Sequence, residues 1–194
     1  MILALLFSLS IGAVETLRVD LKALEAIDQR PYFKPAPDMV TIPLPVAPLQ
    51  QIRGALEAKL GRKLLPKDTA FITVVSPAEF RVIGQTLKMN TLDKIVAKEG
   101  SMKAAIKALC VKKMTTSLGG KTEESWYVDV ESPQLLELRQ SIWRRFLVNG
   151  GLTGEFLWKR WSPHITVGFT SADSHDEDRV IKDKSECVYR LEAK

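Results

Sequence analysis

A chain of 194 residues with 45% hydrophobic and 26% charged side chains can fill one domain, or two small lobes sharing a core, which excludes a disordered or fibrous protein. The formal net charge of +5 favours a polyanionic partner such as RNA or a nucleotide, although many proteins without such a partner are equally basic. Two cysteines, Cys110 and Cys187, allow at most one disulfide and have no metal-ligand neighbour at short spacing, so buried free thiols are expected.

Residues 2–13 form a nearly unbroken apolar run that ends in small residues. The run is too short to span a bilayer and has the length of a secretory signal core, yet no Lys or Arg precedes it. Residues 1–17 are therefore read as a signal peptide, which would place the protein in the secretory pathway or outside the cytoplasm. The alternative is an N-terminal extension packed on the domain of a cytoplasmic protein. Residues 18–38, with Pro31, Pro35 and Pro37, read as an extended tether into a single bilobal domain over residues 39–194.

Residues 39–45 read as a strand whose prolines suit an edge or a strand end. A helix follows, with Leu49, Ile52, Leu56 and Leu60 in one stripe and Gly61 as its stop. Residues 70–75 read as a strand, residues 87–95 as a helix or loop, and residues 101–109 as a short helix. Strands at 111–117 and 125–131 flank a Gly119-Gly120 turn, which makes a hairpin. Ser132-Pro133 opens a helix with Leu135, Leu138, Ile142, Phe146 and Leu147 on one side and Arg139, Arg144 and Arg145 on a cationic face. Asn149-Gly150-Gly151 ends it. A strand at 163–169, a polar loop with a short helix at 171–183 and a strand at 187–191 complete the chain. This order implies α+β architecture with largely antiparallel sheet, in two lobes across a cleft.

One phrase occurs twice: Ala70-Phe71-Ile72-Thr73-Val74-Val75 and Pro163-His164-Ile165-Thr166-Val167-Gly168. Side chains alternate across a sheet, so Phe71 shares a face with Thr73, and His164 with Thr166. Two such strands side by side would give a near-symmetric site with two threonines and one histidine, with Phe71 where symmetry asks for a second.

At these residues the chain resembles the 2H phosphoesterase superfamily, which includes RNA 2',3'-cyclic phosphodiesterases and 2'-5' RNA ligases and carries two H-x-(T/S)-x motifs on equivalent strands of a duplicated fold. His164-Ile165-Thr166-Val167 matches fully and Phe71-Ile72-Thr73-Val74 only in part. Ser76-Pro77-Ala78-Glu79-Phe80, Gly168-Phe169-Thr170 and Ser174-His175 look like the branch related to fungal Swiss-Army-knife RNA-repair-like proteins. The resemblance implies a duplicated two-lobed fold, metal-independent acid–base chemistry without a cofactor, and RNA ends or small nucleotides with a cyclic phosphate as partners. It makes His164 a proton-transfer residue and Thr73 and Thr166 phosphate ligands, and it leaves Phe71 as a degenerate catalytic position, since a benzyl group transfers no proton. A monomer with no obligate protein partner is expected.

Each residue also has a plainer reading. A lone strand histidine is commonly a hydrogen-bonded core residue, and threonine is an ordinary strand residue. His175, in an acidic loop, is a candidate accessory acid or base or else a solvated surface residue. Lys113, Lys121, Lys159 and Arg160 are candidate phosphate ligands or solvated charges, and Trp161 could stack a base. Trp126 and Tyr127 read as core or hairpin packing. Three functions stay open: a cyclic phosphodiesterase impaired at Phe71, a non-catalytic module (a pseudoenzyme) that keeps the phosphate pocket, and a secreted structural protein.

Overall fold

A computed structural model describes residues 14–25, 31–35, 38–99, 104–118, 121–170 and 186–194. In chain order the elements are β1 (Glu15–Val19), α1 (Leu21–Glu25), β2 (Tyr32–Pro35), β3 (Asp38–Leu44), α2 (Val46–Leu60), β4 (Ala70–Val75), α3 (Pro77–Ile83), α4 (Met89–Glu99), β5 (Lys107–Leu118), β6 (Lys121–Glu131), α5 (Pro133–Val148), β7 (His164–Phe169) and β8 (Tyr189–Ala193). They form a five-stranded sheet ordered β1-β8-β5-β6-β7 and a three-stranded sheet ordered β2-β3-β4. Only the β1–β8 pairing among these strands is parallel. The fold is α+β with mostly antiparallel sheet.

Both long helices arise from stripes and stops visible in the sequence. In α2, Leu49, Ile52 and Leu56 recur at spacings of three and four and are buried. Gly61 ends that helix at φ 64°, a left-handed conformation that favours glycine. In α5, the Ser132 hydroxyl accepts the Leu135 N–H at 3.4 Å, Pro133 occupies the first turn, and Leu135, Leu138, Ile142 and Phe146 are buried. The two helices interlock the halves of the molecule. α2 packs on β1 and β7 of the larger sheet, whereas α5 packs on β4 of the smaller one.

Four expectations change. β1 straddles the boundary between the supposed signal segment (1–17) and the supposed tether (18–38), which also holds α1 and β2; β1 pairs into the larger sheet and β2 into the smaller, so residues 15–19 and 32–35 are strands rather than leader or tether. The supposed short helix at 101–109 ends in strand: Ala104, Ile106 and Ala108 are buried alternately, a period of two, and β5 begins at Lys107. The cysteines are not free thiols, because Cys110 on β5 is bonded to Cys187 beside β8. Arg139 is not on a solvated face of α5 but wholly buried. The expected short helix at 171–183 lies outside the described residues.

Candidate functional site

The two copies of the repeated phrase occupy equivalent places. In the smaller sheet Pro43 stands opposite Phe71 and Thr41 opposite Thr73, and the register then shifts so that Val40 faces Val75. In the larger sheet Asp129 stands opposite His164 and Tyr127 opposite Thr166, and the register then shifts so that Trp126 faces Gly168. Each threonine is thus the last residue in register before a β-bulge, formed at Val74 in one strand and Val167 in the other. Each motif strand also follows a strand–helix unit, β3-α2 or β6-α5, and pairs antiparallel with that strand.

Alternation within each strand separates a core face from a more exposed one that carries the motif residues. Ile72, Val74, Ile165 and Val167 are buried, whereas Phe71, Thr73, His164 and Thr166 are half-buried. β4 and β7 lie against one another although they belong to different sheets. The Trp161 indole N–H fastens them by donating to the Thr73 carbonyl at 3.0 Å.

His164 is set for neutral chemistry. Its Nδ1 lies 2.9 Å from the Ser162 carbonyl oxygen, which can only accept, so this contact puts the proton on Nδ1 and the lone pair on Nε2. The edge of Tyr127 meets the imidazole at 5.3 Å between centroids. Loss of hydration holds the imidazole below the ordinary histidine pKa of 6.5; the Ser162 carbonyl opposes this, the Lys67 charge adds to it and Asp129 opposes it. Asp129 in turn pairs with Lys112 at 2.8 Å, and Lys112 stands opposite Tyr127 on the same face of the sheet.

The first-motif side has a different lining. The Lys67 ammonium rests 4.8 Å from the centroid of the Phe71 ring, within cation–π range. Opposite Phe71 the backbone offers Pro43 where the other half offers Asp129. An imidazole and its neighbouring carboxylate in one half thus correspond to two apolar side chains and an adjacent ammonium in the other.

The two adjoining motif strands thus carry an imidazole held toward its neutral form and two threonine hydroxyls, with the Lys67 ammonium beside Phe71. The family model of the Swiss Army Knife, 2H phosphoesterase domain matches residues 45–175, which include both motif strands. The chain belongs to this family. No curated protein and no solved structure matches it.

In this 2H phosphoesterase domain the Ser76-Pro77-Ala78-Glu79 segment has a structural task. The Ser76 hydroxyl accepts the Glu79 N–H, and the Glu79 carboxylate accepts the Ser76 N–H, which closes a capping box on α3. The same carboxylate receives Arg139 from α5 through two hydrogen bonds of 2.7 and 3.1 Å. Arg139 also donates to the Val74 carbonyl on β4 and, through Nε at 3.1 Å, to the Trp158 carbonyl ahead of β7. Its guanidinium stacks over Phe156 and Trp161. One buried cation therefore ties the bulge of β4 to the segment that leads into the His164 strand.

The remaining expected residues are dispersed. Lys113 stands opposite Trp126, on the other face from His164, and pairs with Glu124 at 3.1 Å. Arg160 is exposed, and the Trp161 N–H is engaged by Thr73. Lys121 begins β6, but its side chain lies outside the described residues, as does His175. Sequence reasoning missed Lys67, Lys112 and Asp129; it read Tyr127 as packing, and the ring is indeed buried, with its edge on His164. Only the register of β5, β6 and β7 places Lys112, Tyr127 and Asp129 on the His164 face. Among the described residues no cluster of three or more His, Cys, Asp or Glu side chains could hold a metal ion, and no helix is long and apolar enough to cross a membrane.

Proposed function

We propose that this 2H phosphoesterase domain hydrolyses cyclic phosphodiesters, with 2',3'-cyclic ends of RNA or nucleotides as substrates. The observation that carries the reading is the repeated register, in which two threonines sit at equivalent bulges and an imidazole precedes one of them. His164 takes a proton from the attacking water through Nε2, a role suited to an imidazole that is neutral at pH 7. The Thr73 and Thr166 hydroxyls donate to the non-bridging phosphate oxygens, where charge gathers in the transition state. Phe71 performs no proton chemistry. Exposed Arg160, just ahead of the motif strand, meets the backbone of a longer RNA. The Cys110–Cys187 disulfide supports an oxidising compartment as the working environment.

A second reading, a phosphate-binding module without turnover, is favoured by the apolar Phe71–Pro43 pair. An assay against a panel of 2',3'-cyclic nucleotides separates the two. Phosphodiesterase action gives a nucleoside monophosphate at a rate abolished by His164→Ala. Binding of the monophosphate with no conversion of any cyclic nucleotide favours the module.

A further inference from the structure

The loop between α2 and β4 carries a cation to the first-motif side of the site, and it is pinned to the second motif strand. Leu65 and Phe169 exchange backbone hydrogen bonds of 2.8 and 3.1 Å. Gly168 permits this approach, since a Cβ there would come within 2.8 Å of the Leu65 carbonyl oxygen. Two residues beyond Leu65, half-buried Lys67 lays its ammonium over the Phe71 ring. Its charge also reaches His164, where it disfavours a second positive charge. Phe71 thus occupies the position symmetric to His164 and holds a protonated group on its face.

Resting on the phosphoesterase reading above, we propose that Lys67 does the work of a second imidazole: its Nζ binds the phosphate anion of a cyclic nucleotide and protonates the departing ribose oxygen. Water attacks phosphorus as its proton passes to His164 Nε2, and a new P–O bond forms. The P–O bond to one ribose oxygen breaks, and that oxygen leaves with a proton from Lys67. The product is a phosphomonoester with a free ribose hydroxyl, and the imidazolium returns its proton to the amine through solvent. A flexible amine on an aromatic face can follow the leaving oxygen, whereas an arginine in its place would keep the charge and withhold the proton.

The test compares Lys67→Met and Lys67→Arg with the unaltered chain. Calorimetry reads binding of adenosine monophosphate, and chromatography reads hydrolysis of adenosine 2',3'-cyclic phosphate. Lys67→Met should weaken binding about tenfold or more and lower turnover by a factor of about 100 or more. Lys67→Arg should bind within about threefold of the unaltered chain yet turn over as poorly as Lys67→Met. Circular dichroism and thermal melting confirm that both variants are folded. Turnover by Lys67→Arg at the original rate overturns the proton transfer, as does nucleotide binding without turnover in the unaltered chain. Turnover that is lost in His164→Ala but kept in Lys67→Met overturns the role of Lys67 and leaves the phosphoesterase reading standing. Neither binding nor turnover in the unaltered chain overturns both.

Discussion

Phe71 and His164 occupy the same register position in two separate sheets, each two residues ahead of a threonine that precedes a β-bulge. A bulge re-aims the side chains around it, so its recurrence at the same place gives the two threonines equivalent settings. The two halves differ in what surrounds that position. His164 has Asp129 across the ladder and Tyr127 at its edge, whereas Phe71 has Pro43 across the ladder and Lys67 on its face.

If Lys67 replaces an imidazole, the two devices should be interchangeable. Phe71→His introduced into Lys67→Met is expected to raise turnover by a factor of about ten or more over Lys67→Met, because general acid catalysis is worth about 10² to 10⁴. The gain should vanish with His164→Ala. A double variant no faster than Lys67→Met would mean that the first half has diverged beyond its proton donor.

The depressed pKa of His164 has two consequences with the same sign. A general base must be neutral, so the acidic limb of kcat/KM should lie below pH 6.5. Between 6.5 and the lower value in the fold, the unfolded chain binds more protons than the folded one. This contribution to stability is therefore full above pH 6.5, falls as the pH drops toward the depressed value and then levels off. Urea midpoints from pH 5 to 7.5, taken as the difference between the unaltered chain and His164→Gln, should show that loss on acidification. A difference that stays flat would place the imidazole in an ordinary solvated setting.

Arg139 and Glu79 form a pair whose members are not separately expendable. Arg139→Met leaves the Glu79 carboxylate and the Val74 and Trp158 carbonyls without the guanidinium, and it should cost about 3–5 kcal/mol in denaturant unfolding. Adding Glu79→Gln should recover part of that loss by removing the uncompensated charge. Equal destabilisation by the single and double variants would mean that the cation holds the fold through its carbonyl and aromatic contacts alone.

The motif strands and long helices were legible because their signals are local: a period of two in Phe71-Ile72-Thr73, an apolar stripe ended by Gly61, and Ser132-Pro133 at a helix start. β1 was not legible, since Glu15–Val19 becomes a strand only through β8 at the far end of the chain. Arg139 resembled its neighbours Arg144 and Arg145, and only the carbonyls and carboxylate brought to it by β4, α3 and the loop before β7 explain its burial. Lys67 and Asp129 escaped notice for the same reason. Their places depend on the Leu65–Phe169 bridge and the β6–β7 register, which no short stretch of sequence encodes.

Thr73 and Thr166, from separate sheets, are expected to hold one phosphate. Calorimetric titration with adenosine monophosphate of the unaltered chain, each Thr→Ala variant and the double variant tests it most directly. A charge-assisted hydrogen bond lost with its hydroxyl costs about 1.5–3 kcal/mol, so each single variant should weaken binding by roughly ten- to 150-fold. The double variant should show no measurable heat. Affinity in the double variant equal to that of the unaltered chain would contradict the account.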